Sequence, residues 1–162
     1  RKEPPCRLPC DINRLVSDAA YLIKPDARRH QITLRLSLGA HLPVVAADGI
    51  QVEQVLLNLL RNGVEAIAHA ERNRGELHIG TGLPATGEVQ VMVHDTGCGI
   101  PPSIRERLFE PFFTTKPDGL GMGLSISRSI IEAHGGHLNV LTDSQRGTTL
   151  QFTLPPFQPN EP

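Results

Sequence analysis

The chain reads as an α/β fold: a two-layer sandwich in which one sheet is covered on one face by about three helices. Three observations carry this. Residues 11–29, 49–70 and 122–134 place apolar side chains at helical spacing, and the stretches between and after them alternate at period two. At 162 residues and 39% apolar content, the chain suffices for one globular core. Several strands sharing three helices leave only one sheet face covered, so the other is expected to be solvated or to meet a partner.

In order along the chain, Asp11 caps a first helix whose Ile12, Leu15, Val16, Ala19, Leu22 and Ile23 recur at helical spacing; Pro25 should kink it or split off its last turn. Residues 31–38 alternate, which predicts a strand with Ile32, Leu34, Leu36 and Leu38 facing inward, followed by a short strand at 43–47. Asp48 caps the long second helix. Two strands, 75–82 and 88–95, are joined by a turn at Pro84 and Gly87. A short helix over Ser103–Leu108 precedes a loop at 109–120. The third helix stops at Gly135-Gly136, and strands near 137–142 and 148–154 close the fold around a turn at Ser144–Gly147. Residues 1–10, with three prolines, read as a linker remnant of a longer protein, 11–155 as the domain, and 156–162 as a proline-rich tail.

A formal net charge of -1 with interspersed charges gives no basic stripe, so nucleic acid is not an expected partner. No apolar run reaches the ~20 residues needed to span a bilayer. Three cysteines make no disulfide framework and favour a reducing, cytoplasmic setting.

The chemistry concentrates in four places. On the second helix, Gln51, Gln54, Asn58, Asn62, Glu65 and His69 fall within an arc of ~80°, opposite Val52, Leu56, Leu59, Leu60, Val64 and Ile67. A surface arc of amides is unusual; amide oxygens ligate a hard cation without repelling phosphates. Asp95 ends a strand before Thr96-Gly97-Cys98-Gly99-Ile100, where a carboxylate can accept from an exocyclic amine while bare glycines admit a flat base. Gly119, Gly121 and Gly123 open the third helix, which suits an anion, but the Gly-Lys-Ser/Thr ending of a P-loop is absent. Before them, Phe109, Phe112 and Phe113 can pin the base of a loop from which Lys116 reaches toward phosphate.

The ordered set Asn58-x3-Asn62, Asp95-x-Gly97-x-Gly99, Phe109-x2-Phe112-Phe113, Gly119-x-Gly121-x-Gly123 and Gly147-Thr148-Thr149 resembles the N, G1, F, G2 and G3 boxes of bacterial sensor histidine kinases. The likeness runs from about residue 11 to 155. The segments 61–66, 112–116 and 132–136 look most like the oxygen- and nitrogen-responsive subgroup.

The resemblance implies a Bergerat-type ATP-binding fold with a mixed sheet, and ATP with Mg2+ as ligands. It implies that Asp95 holds adenine, Asn62 ligates Mg2+ and Asn58 supports the phosphate side. Gly97, Gly99 and Ile100 would line the base; Gly119, Leu120, Gly121, Gly123 and Leu124 would form the lid hinge; Thr148 or Thr149 would assist near adenine, and Lys116 would contact phosphate. The implied reaction is transfer of the ATP γ-phosphoryl group to a histidine on a separate dimerisation domain, with a response regulator downstream. Of the seven histidines, at 30, 41, 69, 78, 94, 134 and 137, only His94 is followed by an acid, and that acid is Asp95 of the strand-end glycine motif, so the acceptor is expected elsewhere and His134 and His137 are read as structural. The parent is then a homodimer and this chain alone a monomer. The alternatives are a degenerate nucleotide-sensing or docking module and an ATP hydrolase of the same fold; the latter carries a glutamate where this helix has Asn58, and an amide takes no proton from water. Cys98, between two glycines, is expected to be reachable from the adenine pocket.

Overall fold

The computed structural model describes residues 3–70, 74–113, 123–141 and 147–159. Its elements are β1 (Leu8–Cys10), α1 (Ile12–Arg29), β2 (Ile32–Ser37), β3 (Val45–Ala47), α2 (Gly49–His69), β4 (Gly75–Gly82), β5 (Val89–Asp95), a 3-10 turn at Pro102–Arg107, α3 (Gly123–Ala133), β6 (Leu138–Leu141) and β7 (Thr148–Leu154). Five strands form one sheet in the order β2-β4-β5-β7-β6. β2 runs parallel to β4 and every other pairing is antiparallel, which makes the sheet mixed.

The helices cover one face, so β5 and β7 each bury every second residue. Val89, Val91 and Val93 of β5 and Leu150, Phe152 and Leu154 of β7 meet Val52, Leu56, Leu59, Leu60 and Ile67 of α2 in one core. α2 lies centrally, in contact with α1, α3, β4 and β5. Its start is fixed by Asp48, whose carboxylate accepts from the backbone N–H groups of Ile50 and Gln51.

Four departures from the sequence expectations have physical reasons. First, β3 does not join the main sheet; it pairs with β1, Leu8 opposite Ala47. Leu8–Cys10 is therefore folded and not linker. Second, the tail does not leave the fold at residue 156: Pro156 bridges Val45, and the Phe157 N–H donates to the Val44 carbonyl at 2.8 Å. Proline lacks the donor for a ladder, but its neighbour supplies one.

Third, α1 runs unbroken through Pro25, which sits on the exposed side, so its ring and the carbonyl it leaves unpaired face water. Fourth, Leu36 and Leu38 of the β2 segment are 40% and 37% exposed. β2 is an edge strand, and the helix layer covers Ile32 without reaching its far end. Leu22 of α1 is exposed for a related reason: the buried face is narrower than expected and is built from Ile12, Val16, Ala19, Ala20, Ile23 and Ala27.

The uncovered sheet face is polar. A shallow depression of about 540 Å³ there is lined by Arg35, Ser37, Glu76, His78, His94 and Thr96, on the side of the sheet away from α2. Among the described residues no helix is long and apolar enough to cross a membrane.

Candidate functional site

Asp95 is the last residue of β5 and lies opposite Leu77 on one side and Thr148 on the other. The inward half of the strand's alternation turns its carboxylate under α2, leaving it 5% exposed. Burial pushes its pKa up to about 6; the Gly97 and Thr148 backbone N–H groups and nearby His94 pull the other way. One carboxylate oxygen accepts from the Gly97 N–H at 2.9 Å, which curls the chain back as soon as the strand ends.

Three glycines set how closely the surrounding backbone approaches. A Cβ on Gly97 would come within 2.7 Å of the Ala66 carbonyl carbon and oxygen on α2, so the loop rests directly on the helix backbone. Gly147 takes φ +101°, and a Cβ there would collide with the Asp95 carbonyl oxygen. Gly63, on α2, is buried against the same strands: a Cβ would stand 2.5 Å from Leu77 Cδ1 and 3.5 Å from Asp95 Cβ. Gly99 adopts φ +75°, the left-handed region that completes the turn after Cys98.

The amide arc of α2 divides by depth. Gln54 and His69 are exposed, whereas Asn58, Asn62 and Glu65 are half-buried. Asn58 Nδ2 donates to Ser127 Oγ at 2.9 Å, and its Oδ1 lies where a Cβ on Gly123 would come within 2.6 Å. Gly123 thus lets this amide pack directly against the first residue of α3, and Leu124 packs against the core beside it.

Thr148 and Thr149 point to opposite faces. Thr148 is buried beside Asp95. Thr149 faces the open side, where its hydroxyl pairs with His94 Nδ1 at 2.8 Å. Ile100 is half-buried and Cys98 exposed. Phe109 packs against the core beneath the Arg128 guanidinium, 4.7 Å from its ring centroid, and Phe113 carries Arg107 at 4.5 Å. Thr114, Thr115, Lys116, Gly119, Leu120 and Gly121 lie outside the described residues.

His134 is wholly buried, and its two ring nitrogens are both used. Nδ1 donates to the Ile130 carbonyl at 2.7 Å, and Nε2 accepts from the Asp48 N–H at 3.0 Å. It ties the end of α3 to the cap of α2, a structural task.

Asp95, Gly97, Asn58, Asn62, Gly123 and Thr148 therefore gather along α2, drawn from four separate parts of the chain. Residues 47–158 match the family model of histidine kinase-, DNA gyrase B- and HSP90-like ATPases, which is more than half of the chain. The chain belongs to this family. Its likeness within the family is to histidine kinases. Sensor protein TdiS of Thauera aromatica is 43% identical over 155 residues, covering 95% of this chain and 28% of TdiS. The nucleotide-free catalytic domain of histidine kinase ThkA superposes with a TM-score of 0.80 at 32% identity, covering 92% of this chain and 95% of that domain. ThkA bound to response regulator TrrA gives 0.79 at 29% identity, with 96% of this chain and 43% of that one covered. Full-length ShkA in complex with AMPPNP gives 0.84 at 30% identity, with 96% and 32% covered. The chain is a histidine kinase catalytic domain in sequence and fold, and it spans under a third of the length of the curated relatives it matches.

Sequence reasoning missed Ser127. A serine inside a helix ordinarily reads as surface, but it stands four residues after Gly123 and four before the buried Ile131, on one stripe.

Proposed function

We propose that the groove along α2 binds MgATP and that this domain transfers the γ-phosphoryl group to a histidine on a separate dimerisation domain of the same parent protein. The observation that carries the proposal is the convergence of a buried carboxylate, Asp95, with two half-buried amides, Asn58 and Asn62, and three side-chain-free approaches at Gly97, Gly123 and Gly147.

Asp95 accepts from the exocyclic amine of adenine, with Thr148 beside it and Gly97, Gly99 and Ile100 against the ring. Thr149 is left out of this set because its hydroxyl is on the other face of the sheet. The phosphates lie toward the start of α3, where Gly123 and Leu124 begin a helix whose N-terminal dipole favours anions. Lys116, Gly119, Leu120 and Gly121 lie outside the described residues and are assigned to the phosphate side by the resemblance alone. The AMPPNP complex of full-length ShkA supports a nucleotide ligand for this fold.

The residues present fit Mg2+: Asn58 and Asn62 are neutral oxygen donors one helical turn apart, and the missing side chain of Gly123 leaves the first of them room at the start of α3. Asn62 would hold the ion, with Asn58 on the phosphate side. When bound, the ion neutralises phosphate charge. In the transfer, the bond from the γ-phosphorus to the bridging oxygen of ADP breaks as a bond to an imidazole nitrogen forms; ADP leaves and the imidazole gives up its proton. This chain contributes positioning, since phosphoryl transfer asks little covalent chemistry of the protein. Asn58 stands where a hydrolase would need a base and takes no proton, so transfer is favoured over rapid hydrolysis.

The partners of the parent are its His-bearing dimerisation domain, through which it is a homodimer, and a response regulator, as in the ThkA–TrrA complex. The setting is cytoplasmic. The domain proper spans the strands from Leu8 to the Phe157 contact, slightly more than 11–155. To test the proposal, γ-labelled ATP is incubated with this chain and a separately produced dimerisation domain. Acid-labile label on that domain is expected. Label released only as inorganic phosphate, or retained on ATP although nucleotide binds, would contradict it.

A further inference from the structure

We propose that Ser127 is a positioning residue for the Asn58 amide, taking its N–H so that its oxygen is the atom presented at the N-terminus of α3. The inference deepens the MgATP reading above and rests on it.

Gly123, Ser127 and Ile131 succeed one another at intervals of four, so they form the stripe of α3 that faces α2. Ile131 is wholly buried and Ser127 is 2% exposed. An apolar residue would suit such a position, because a buried hydroxyl costs free energy unless it is paired. Its partner is the Asn58 Nδ2, at 2.9 Å. The other end of the same amide meets the bare Cα side of Gly123, where a Cβ would stand 2.6 Å from Oδ1 and 3.0 Å from Nδ2. One glycine clears the space and one serine fixes what fills it.

The consequence is polarity. An asparagine amide keeps its shape but reverses its chemistry when turned over: the oxygen accepts or ligates, the nitrogen only donates. In the orientation present Nδ2 donates to Ser127, whose hydroxyl then serves as acceptor, and the oxygen lies nearer Gly123, where a cation with its phosphates is to be met. Ser127 reaches neither nucleotide nor ion itself, so its effect appears in the metal requirement and not in adenine recognition.

Ser127→Ala removes the acceptor, and Ser127→Cys fills the same space with a weak one; Ser127→Thr keeps the hydroxyl. The first readout is the Asn58 side-chain amide resonance in the nucleotide-free chain, which should shift in the Ala and Cys variants and stay near its position in Thr. The second is the Mg2+ concentration for half-maximal ATP binding. It should rise about tenfold in Ala and Cys, as expected for one lost polar contact, with ATP affinity in a chelator unchanged within about twofold. Wild-type Mg2+ dependence in Ala and Cys would overturn the inference, and so would a defect in Ala that Cys repairs, since that marks a packing role. Failure of the unsubstituted chain to bind MgATP would sink the nucleotide reading itself, and this inference with it, and is told apart by needing no variant.

Discussion

Asp95 is held in a state that opposes stability. Its carboxyl is buried, and its pKa is raised from the ordinary value near 3.8 to about 6. The unfolded chain loses that proton near pH 4, while the folded chain keeps it until about 6. Over this window the folded state binds more protons, so stability falls as pH rises and levels off above the folded value. Two pH units correspond to roughly 3 kcal/mol as an upper figure. Asp95→Asn should therefore stabilise the nucleotide-free chain by about 1–3 kcal/mol at pH 7, with the advantage vanishing near pH 4, as read by denaturant unfolding at both pH values. A variant less stable than wild type at pH 7 would show that the carboxylate is better paired than its surroundings indicate. His134 works in the opposite direction. Replacing it by Ala leaves a cavity and an unpaired Asp48 N–H, so a loss of about 3 kcal/mol or more is expected in the same measurement.

At the scale of elements, glycines decide how close α2, the Asp95 loop and the start of β7 come. Gly147→Ala places a methyl on the Asp95 carbonyl in a backbone region that L residues avoid, and should cost about 2 kcal/mol or more. Gly63→Ala is the informative contrast. Alanine adds about 1 kcal/mol of helix propensity, but its methyl meets the end of a buried Leu77 side chain. A net loss is expected in the wild-type background and a gain once Leu77→Val makes room; thermal melts of the two singles and the double would show it. The close approaches at Gly97, Gly123 and Gly147 were legible in the sequence because few other residues can occupy such positions. The strand partners were not. β3 is three residues long and pairs with β1 across α1, and β2 is an edge, facts of long-range topology that local alternation does not carry. Ser127 escaped notice because its meaning lies on another helix, in Asn58.

For the whole molecule, a sheet covered on one face by three helices turns α2 into a floor with Asp95 and Gly123 along it, the places proposed above for base and phosphates. The family and fold were readable from the order of the boxes, since five short motifs in sequence constrain far more than any one of them. The opposite orientations of Thr148 and Thr149 were not, because adjacent residues of a strand face opposite sides and only the register says which is inward. The other sheet face carries His78 and His94. Because the chain has no base at Asn58, it should bind MgATP for many minutes with little release of ADP when no dimerisation domain is present, a behaviour that coupled-enzyme detection of ADP would check. The most direct test of the account is calorimetric titration of MgATP into the chain and into Asp95→Asn. Saturable one-to-one binding by the chain, reduced at least about tenfold in the variant although that variant is the more stable fold, is the predicted result; equal affinity in both, or no binding by the unsubstituted chain, would contradict the placement of adenine on Asp95.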